Sequence, residues 1–303
     1  KIGLICEYNP FHNGHVYHID TIKEMYPDSV LILVLGSYFL ERGDVSIISK
    51  WNKTKIALDY GVDLVIELPT LYGTNSADYF AYYAVRALSL AEVDTIVFGS
   101  ESSDIEQLKA IAHSQTEEEF DERVKDHLKN GTNYPTSLSK SLGITLKSND
   151  LLGVSYIKAI KKLCASIDPV AIQRTNDFRD DVLDDAIVSA SNVREKIKKG
   201  CSIDKYIPKY DRAFINRIDE EKMFSLLKYR IITEKHLERF LGVDEGLENK
   251  LKKEILSSQT LEELIEKIKS KRYTTSRLKR MLIHILLGIE KEDMNTDAEA
   301  YRI

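Results

Sequence analysis

Ile2-Gly3-Leu4-Ile5-Cys6, followed by Glu7-Tyr8-Asn9-Pro10-Phe11-His12-Asn13-Gly14-His15, decides the fold. A short run with no polar alternation predicts a strand buried on both faces, and the Pro-containing stretch after it predicts a loop. A helix is predicted from about residue 14 to 25. The same alternation recurs downstream, with strands predicted at 30–35, 64–68 and 95–98 and helices at 50–60 and 76–90. Four strand-helix pairs predict an α/β protein built on a doubly wound parallel sheet. Such sheets bind ligands at the carboxyl ends of their strands, so the loops after Cys6, Leu35, Leu68 and Phe98 are the ones to watch.

Beyond residue 103 the chain reads as helical and acidic, with Glu117-Glu118-Glu119 on a solvated face. A further helix at 151–163, a strand at 169–174 and a helix at 191–199 follow. From about Asp211 the pattern is helical only, with segments at 221–229, 234–241, 247–256, 261–269 and 275–287. The expected division is an α/β unit over 1–205 and an all-helical region over 206–303. Asp180-Asp181 and Asp184-Asp185 read as loop charges.

The 303 residues are 43% hydrophobic and 30% charged, the composition of a globular chain and not of a disordered tail. No apolar run approaches the roughly 20 residues of a membrane-spanning helix. Cys6, Cys164 and Cys201 are odd in number and widely spaced, which supplies neither a disulfide framework nor a metal knuckle and points to a reducing cytoplasm. The first residue is Lys and the last three are Tyr301-Arg302-Ile303, so the chain is expected to be incomplete, notably at its C-terminus. Oligomeric state is not legible. Residues 1–150 carry 13 basic and 22 acidic side chains, whereas 151–303 carry 30 and 26, so a polyanionic partner is expected on the second half. The plainer alternative is a lysine-rich helical surface.

His12 and His15 lie three residues apart at the start of a predicted helix, with Gly14 between them. Helix amino-termini present free N–H groups, and two imidazole donors added there form a cradle for phosphate charge. Such a site needs no covalent intermediate. It holds nucleophile, phosphorus and leaving oxygen in line. His18 continues the spacing of three, but threes drift round a helix and do not converge on one metal, so no metal site is assigned.

His12-Asn13-Gly14-His15 after a first strand resembles the HxGH signature of the nucleotidyltransferase superfamily, with its Rossmann-like fold. With Asn9-Pro10-Phe11, Arg42-Gly43, Lys50-Trp51, 63–69, Phe98-Gly99-Ser100-Glu101 and Lys271-Arg272-Tyr273-Thr274, the chain from residue 2 to about 290 is similar to the bacterial tRNA(Met) cytidine acetate ligase family. The resemblance implies ATP-dependent conversion of acetate to acetyl-adenylate and acetyl transfer to N4 of the wobble cytidine of elongator tRNA(Met). It makes His12 and His15 catalytic and gives the nucleotide Ile5, Cys6, Glu7, Tyr8, Asn9, Pro10, Phe11, Asn13, Gly14 and His18. It also implicates Gly99, Asn149 and Arg174, with Ser189, Ser191 and Arg194 resembling a second phosphate motif. Mg²⁺ is expected to arrive with ATP, with no carboxylate assigned to it. The chain departs from the family pattern at Ser37-Tyr38, Ser148 and Asp150, and family members continue for a further domain-scale segment.

Lys271, Arg272, Tyr273, Arg277, Lys279 and Arg280 crowd five cations and one aromatic into a helix start. They read as an RNA clamp combining phosphate contacts with base stacking, or else as the cationic solvent face of an amphipathic helix. Arg42 and Lys50 are expected near the pocket mouth, and Glu67 stands either as a partner of Arg42 or as a substrate contact. Two other functions stay open: an adenylyltransferase for a small phosphate-bearing metabolite, and a non-catalytic tRNA- or nucleotide-binding protein of this fold.

Overall fold

The computed structural model describes residues 1–174, 187–216, 218–296 and 301–303, which leaves the two aspartate pairs of 180–185 outside the described residues. Strands β1 (Ile2–Cys6), β2 (Leu31–Gly36), β3 (Leu64–Leu68), β4 (Thr95–Ser100) and β5 (Asp168–Gln173) form one sheet in the order β3-β2-β1-β4-β5. All four pairings are parallel, with Leu4 opposite Leu33 and Val97 opposite Val170. The order reverses between β1 and β4, and that switch point opens a crevice at the carboxyl end of β1.

The apolar strands are continuous because both faces are covered. Ile32 and Val34 turn to a core shared with α4 (Ala77–Leu90), α5 (Ile105–Ser114) and α8 (Ser148–Leu163). Leu31, Leu33 and Leu35 turn the other way, to a core shared with α1 (Asn13–Met25) and α2 (Lys50–Asp59). Alternation along one strand thus serves two apolar layers at once.

Sequence and structure part in small ways. A one-turn helix, α3 (Thr70–Gly73), follows β3, and the acidic stretch resolves into α5, α6 (Glu118–Lys129) and α7 (Tyr134–Leu142). Pro135 sits in the first turn of α7, where its missing N–H costs nothing. After α9 (Ala190–Lys198), residues 206–216 pack on the catalytic side: Tyr206 O accepts from Asn13 N at 3.0 Å and Ile215 bridges Ile48.

The helices α10 (Glu220–Thr233), α11 (Leu247–Glu254), α12 (Leu261–Ile268) and α13 (Thr275–Leu287) share a core of their own, including Phe224, Ile231, Leu251, Leu264, Leu278 and Met281. The helix expected at 234–241 is instead a 3-10 turn, Leu237–Arg239. Glu234 leaves α10 in an extended conformation, and the buried Phe240 is held in a bridge with Glu290, which a continuous helix would not allow. Among the described residues no helix is long and apolar enough to cross a membrane.

Candidate active site

The loop after β1 is bent by Tyr8, whose φ is 48°, and by a cis Asn9–Pro10 bond. Phe11 is fully buried, its ring edge-on to Tyr8 at 4.8 Å, and its carbonyl accepts from Tyr210 Oη at 3.0 Å. Asn9 Oδ1 accepts from Ile47 N at 2.9 Å. These contacts fix where α1 begins.

His12 is the cap of that helix. Its Nδ1 accepts from Gly14 N at 3.0 Å, while His15 Nδ1 accepts from His12 N at 3.2 Å, a reciprocal capping box made by two imidazoles. The rings stack at 3.8 Å between centroids. A Cβ on residue 14 would lie 2.8 Å from the His12 ring, so only glycine lets that ring fold back over its own helix start.

Because each Nδ1 accepts from a backbone N–H, each neutral ring carries its proton on Nε2, and no protein group among the described residues takes that donor. Burial pushes His12 down to about 4 and His15 well below the usual imidazole range, with the positive charge of Arg174 acting the same way on both. His15 is lowered further by His12 and His18. A second proton would also have to sit on an Nδ1 that already faces a backbone N–H. The pair therefore presents two neutral N–H donors. His18, one turn on, is likewise lowered to about 4, first by burial, and its Nε2 is buried without a partner.

Ile5, Cys6, Glu7, Pro10 and Asn13 lie in or beside this loop; Asn13 Nδ2 donates to Lys205 O at 2.9 Å. Burial raises the Cys6 thiol to about 12, which removes it as a nucleophile.

Across the crevice, Arg174 follows β5, and its stem runs over Gly99 of β4. Its Nη1 donates to Asn149 Oδ1 at 2.9 Å. Asn149 is further engaged by Glu101, whose carboxylate accepts from Asn149 N at 3.1 Å and from Asp150 N at 3.0 Å, neutralising the start of α8. Asp150, almost fully buried, accepts from Ser100 Oγ, Glu101 N and Ser102 N.

Ser189 caps α9 by accepting from Asn192 N at 3.3 Å, and its hydroxyl meets that of Ser191 at 2.9 Å. From the second turn of α9, Arg194 reaches the signature loop: Nη1 donates to Asn9 O at 2.7 Å and Nη2 pairs with Asp44 at 3.2 Å. Arg194 thus meets the loop that carries His12 and His15, while Arg174, whose charge bears on both imidazoles, meets Asn149.

Lys53 escapes a motif reading. Its ammonium is fully buried and donates to Glu7 O at 2.9 Å, Gly36 O at 2.5 Å and Ser37 O at 2.7 Å, tying together the ends of β1 and β2. Burial lowers it to about 8, while burial raises the neighbouring Glu7 carboxyl to about 7. The only sequence signal was a lysine on the inner face of α2. Glu67 pairs with Lys50 at 2.7 Å, Ser37 Oγ at 2.9 Å and Arg302 at 3.0 Å, not with Arg42.

The cations of the basic segment are mostly paired with carboxylates from other parts of the chain. Arg272 meets Glu245 at 2.9 Å, Arg277 meets Asp244 at 3.6 Å, Lys279 meets Asp44 at 2.8 Å and Arg280 meets Glu41 at 3.2 Å. Tyr273 is buried, with its hydroxyl on Glu245 and the Arg277 guanidinium 4.5 Å from its ring centre. Lys271 is exposed. Among the described residues no group of three His, Cys, Asp or Glu side chains is placed to hold a metal.

A parallel switch-point sheet with stacked histidines at the first helix start defines a nucleotidyltransferase, and the whole chain, residues 1–303, matches the family described as HIGH Nucleotidyl Transferase. A tRNA(Met) cytidine acetate ligase of Thermoanaerobacter sp. (strain X514) is 39% identical over 315 residues, covering 96% of this chain and 79% of the relative. That of Caldicellulosiruptor saccharolyticus is 40% identical over 94% of this chain and 76% of its own length. The crystal structure of Thermotoga maritima TmcAL bound with alpha-thio ATP superposes with a TM-score of 0.86 at 28% identity, over 97% of this chain and 76% of that one. This chain belongs to the tRNA(Met) cytidine acetate ligase family.

Proposed function

We propose that this enzyme uses ATP to acetylate a tRNA cytidine, through acetyl-adenylate, with elongator tRNA(Met) as acceptor. An acetate oxygen attacks the α-phosphorus in line, the bond to the β-phosphate oxygen breaks and pyrophosphate leaves. The N4 amine of the cytidine then attacks the acetyl carbonyl of the mixed anhydride, AMP departs, and the amine loses a proton. The carrying observation is the pair of neutral imidazoles at the start of α1, each with Nδ1 spent on capping and Nε2 left as a donor, and both within reach of the charge of Arg174. Neutral donors fixed before substrate arrives stabilise charge on the phosphates without reorganising during the reaction.

Ser189, Ser191 and Arg194 would meet the outer phosphates at the start of α9, and Gly99 and Asn149 would border the nucleoside. Asp44, Glu101 and Asp150 all serve protein donors, so the described residues around the crevice offer magnesium no ligand set; the ion would ride on the phosphates. The exposed Lys271 and Arg272, at the edge of the helical region, are the segment's most accessible contacts for an RNA backbone.

Acetate-dependent ATP–pyrophosphate exchange, followed by transfer of labelled acetate to bulk tRNA, tests the reading. Both activities are expected. Exchange without transfer would overturn the acceptor, and exchange that ignores acetate would overturn the activated acid.

A further inference from the structure

Between β2 and α2 the chain makes a tight turn that belongs to neither the sheet nor the helical region but touches both. It closes on itself through Gly43 N to Leu40 O at 2.8 Å and Leu40 N to Asp44 O at 3.0 Å. Its apex presses on α13: with φ at +75°, Gly43 sits where a Cβ would come within 2.4 Å of Lys279 Cβ and 2.7 Å of Arg280 N. Its other side holds the signature loop, since Glu41 N donates to Glu7 Oε1 at 2.7 Å.

Asp44 closes this turn and uses a different oxygen for each neighbour. Oδ2 takes Arg194 Nη2 at 3.2 Å and Oδ1 takes Lys279 Nζ at 2.8 Å. All three side chains are only about a quarter to a third exposed, so these pairs feel less solvent screening than surface ones. Arg194 is thereby held at two points, by Asn9 O at 2.7 Å through Nη1 and by Asp44 through Nη2. Two anchors fix the plane of a guanidinium and leave its remaining N–H groups aimed in one direction. Without Asp44 only one anchor remains, and the fork is free to turn about it.

We propose that Asp44 is a positioning residue for the nucleotide site: it orients Arg194 toward the triphosphate and, through Lys279, makes that orientation depend on the seating of the helical region. The inference rests on the ATP-dependent reading given above. It adds a residue with no place in the signature motif and a physical link from α13 to the phosphate cradle.

Calorimetric titration of the full chain with a non-hydrolysable ATP analogue, paired with acetate-dependent exchange, provides the test. Asp44→Asn is expected to weaken analogue binding and raise KM for ATP by about tenfold, the scale of one charge-assisted hydrogen bond, while kcat stays within about twofold. Lys279→Met is expected to raise KM by roughly threefold, since it frees one oxygen of the same carboxylate. In an Arg194→Ala background Asp44→Ala should add almost nothing, because its effect passes through that arginine.

Unchanged binding in Asp44→Asn would overturn the proposal, as would losses from Asp44→Ala and Arg194→Ala that simply multiply. A fall in kcat tracking a lower unfolding temperature, with KM unmoved, would assign Asp44 a merely structural role and also overturn it. Should Asp44→Ala not fold, Asp44→Asn and Lys279→Met carry the test alone. Analogue binding needs neither acetate nor RNA, so an error in the acid or the acceptor leaves this result readable. A parent that binds no analogue sinks both readings.

Discussion

The first loop and the basic segment both concentrate polar side chains, and they treat them in opposite ways. Around His12 and His15 the ring nitrogens nearest the backbone are consumed by capping, and the outer ones are left as donors to the crevice. Around residues 272–280 each arginine, together with Lys279, has found a carboxylate on a neighbouring loop. A cluster of donors becomes a site only where local geometry leaves some of them unspent. The first region achieves this because the cap is made by Nδ1 alone; the second does not, because Glu41, Asp44, Asp244 and Glu245 are brought opposite by the fold.

Breaking the first region should have the largest effect. His15→Ala is expected to slow acetate-dependent pyrophosphate exchange by ~10² to 10³, the scale of one transition-state donor. Its far-ultraviolet dichroism should match the parent. An unchanged exchange rate would remove His15 from the reaction.

Next comes the clamp beneath that loop. Lys53→Met leaves three buried carbonyls without their donor and is expected to cost about 3 kcal/mol of stability, read as a lower urea midpoint. An unshifted midpoint would show that the strand ends hold without it.

The buried imidazoles also set an acid limit. His12 titrates near 4 in the fold against an ordinary 6.5, so between those values the unfolded chain binds more protons and stability falls as pH falls. By about pH 4 the loss for this one group approaches roughly 3 kcal/mol. Glu7 works in the opposite sense: its folded value near 7 lies above the ordinary 4.5, so it favours the fold as pH drops through that window. Glu7→Gln should therefore steepen the acid loss seen by thermal melting between about pH 7 and pH 4.5, and a flatter profile would contradict this assignment.

The smallest effect belongs to the second region. Lys271→Ala is expected to raise KM for tRNA by only a few fold, about one phosphate contact, without touching exchange. A loss of a hundredfold would mean that the segment is a principal RNA anchor in spite of its internal pairing. Tyr273→Phe removes the bond to Glu245 and should cost about 1 kcal/mol.

The sheet was legible because its signal is local. Uninterrupted apolar runs such as Leu31–Gly36 admit few other readings, and the observed strands match the expected ones to within two residues at each end. The helix expected at 234–241 was not legible as a turn, because periodicity cannot see that Phe240 is needed at a bridge with Glu290. The same blindness hid Lys53, which on sequence alone is one more lysine on a polar helix.

What the sequence determined by itself is the order of strands and helices and the placing of two histidines around a glycine at the first helix start. Hydrophobic pattern and capping act over a few residues and need no distant partner. Only the tertiary structure decided which polar groups remained available: the Nε2 donors stayed open, the cations of α13 were neutralised, and Asp44 came to lie between Arg194 and Lys279. Pairing energies depend on separation in space and on burial, and those are settled by how the chain folds back on itself, not by spacing along it.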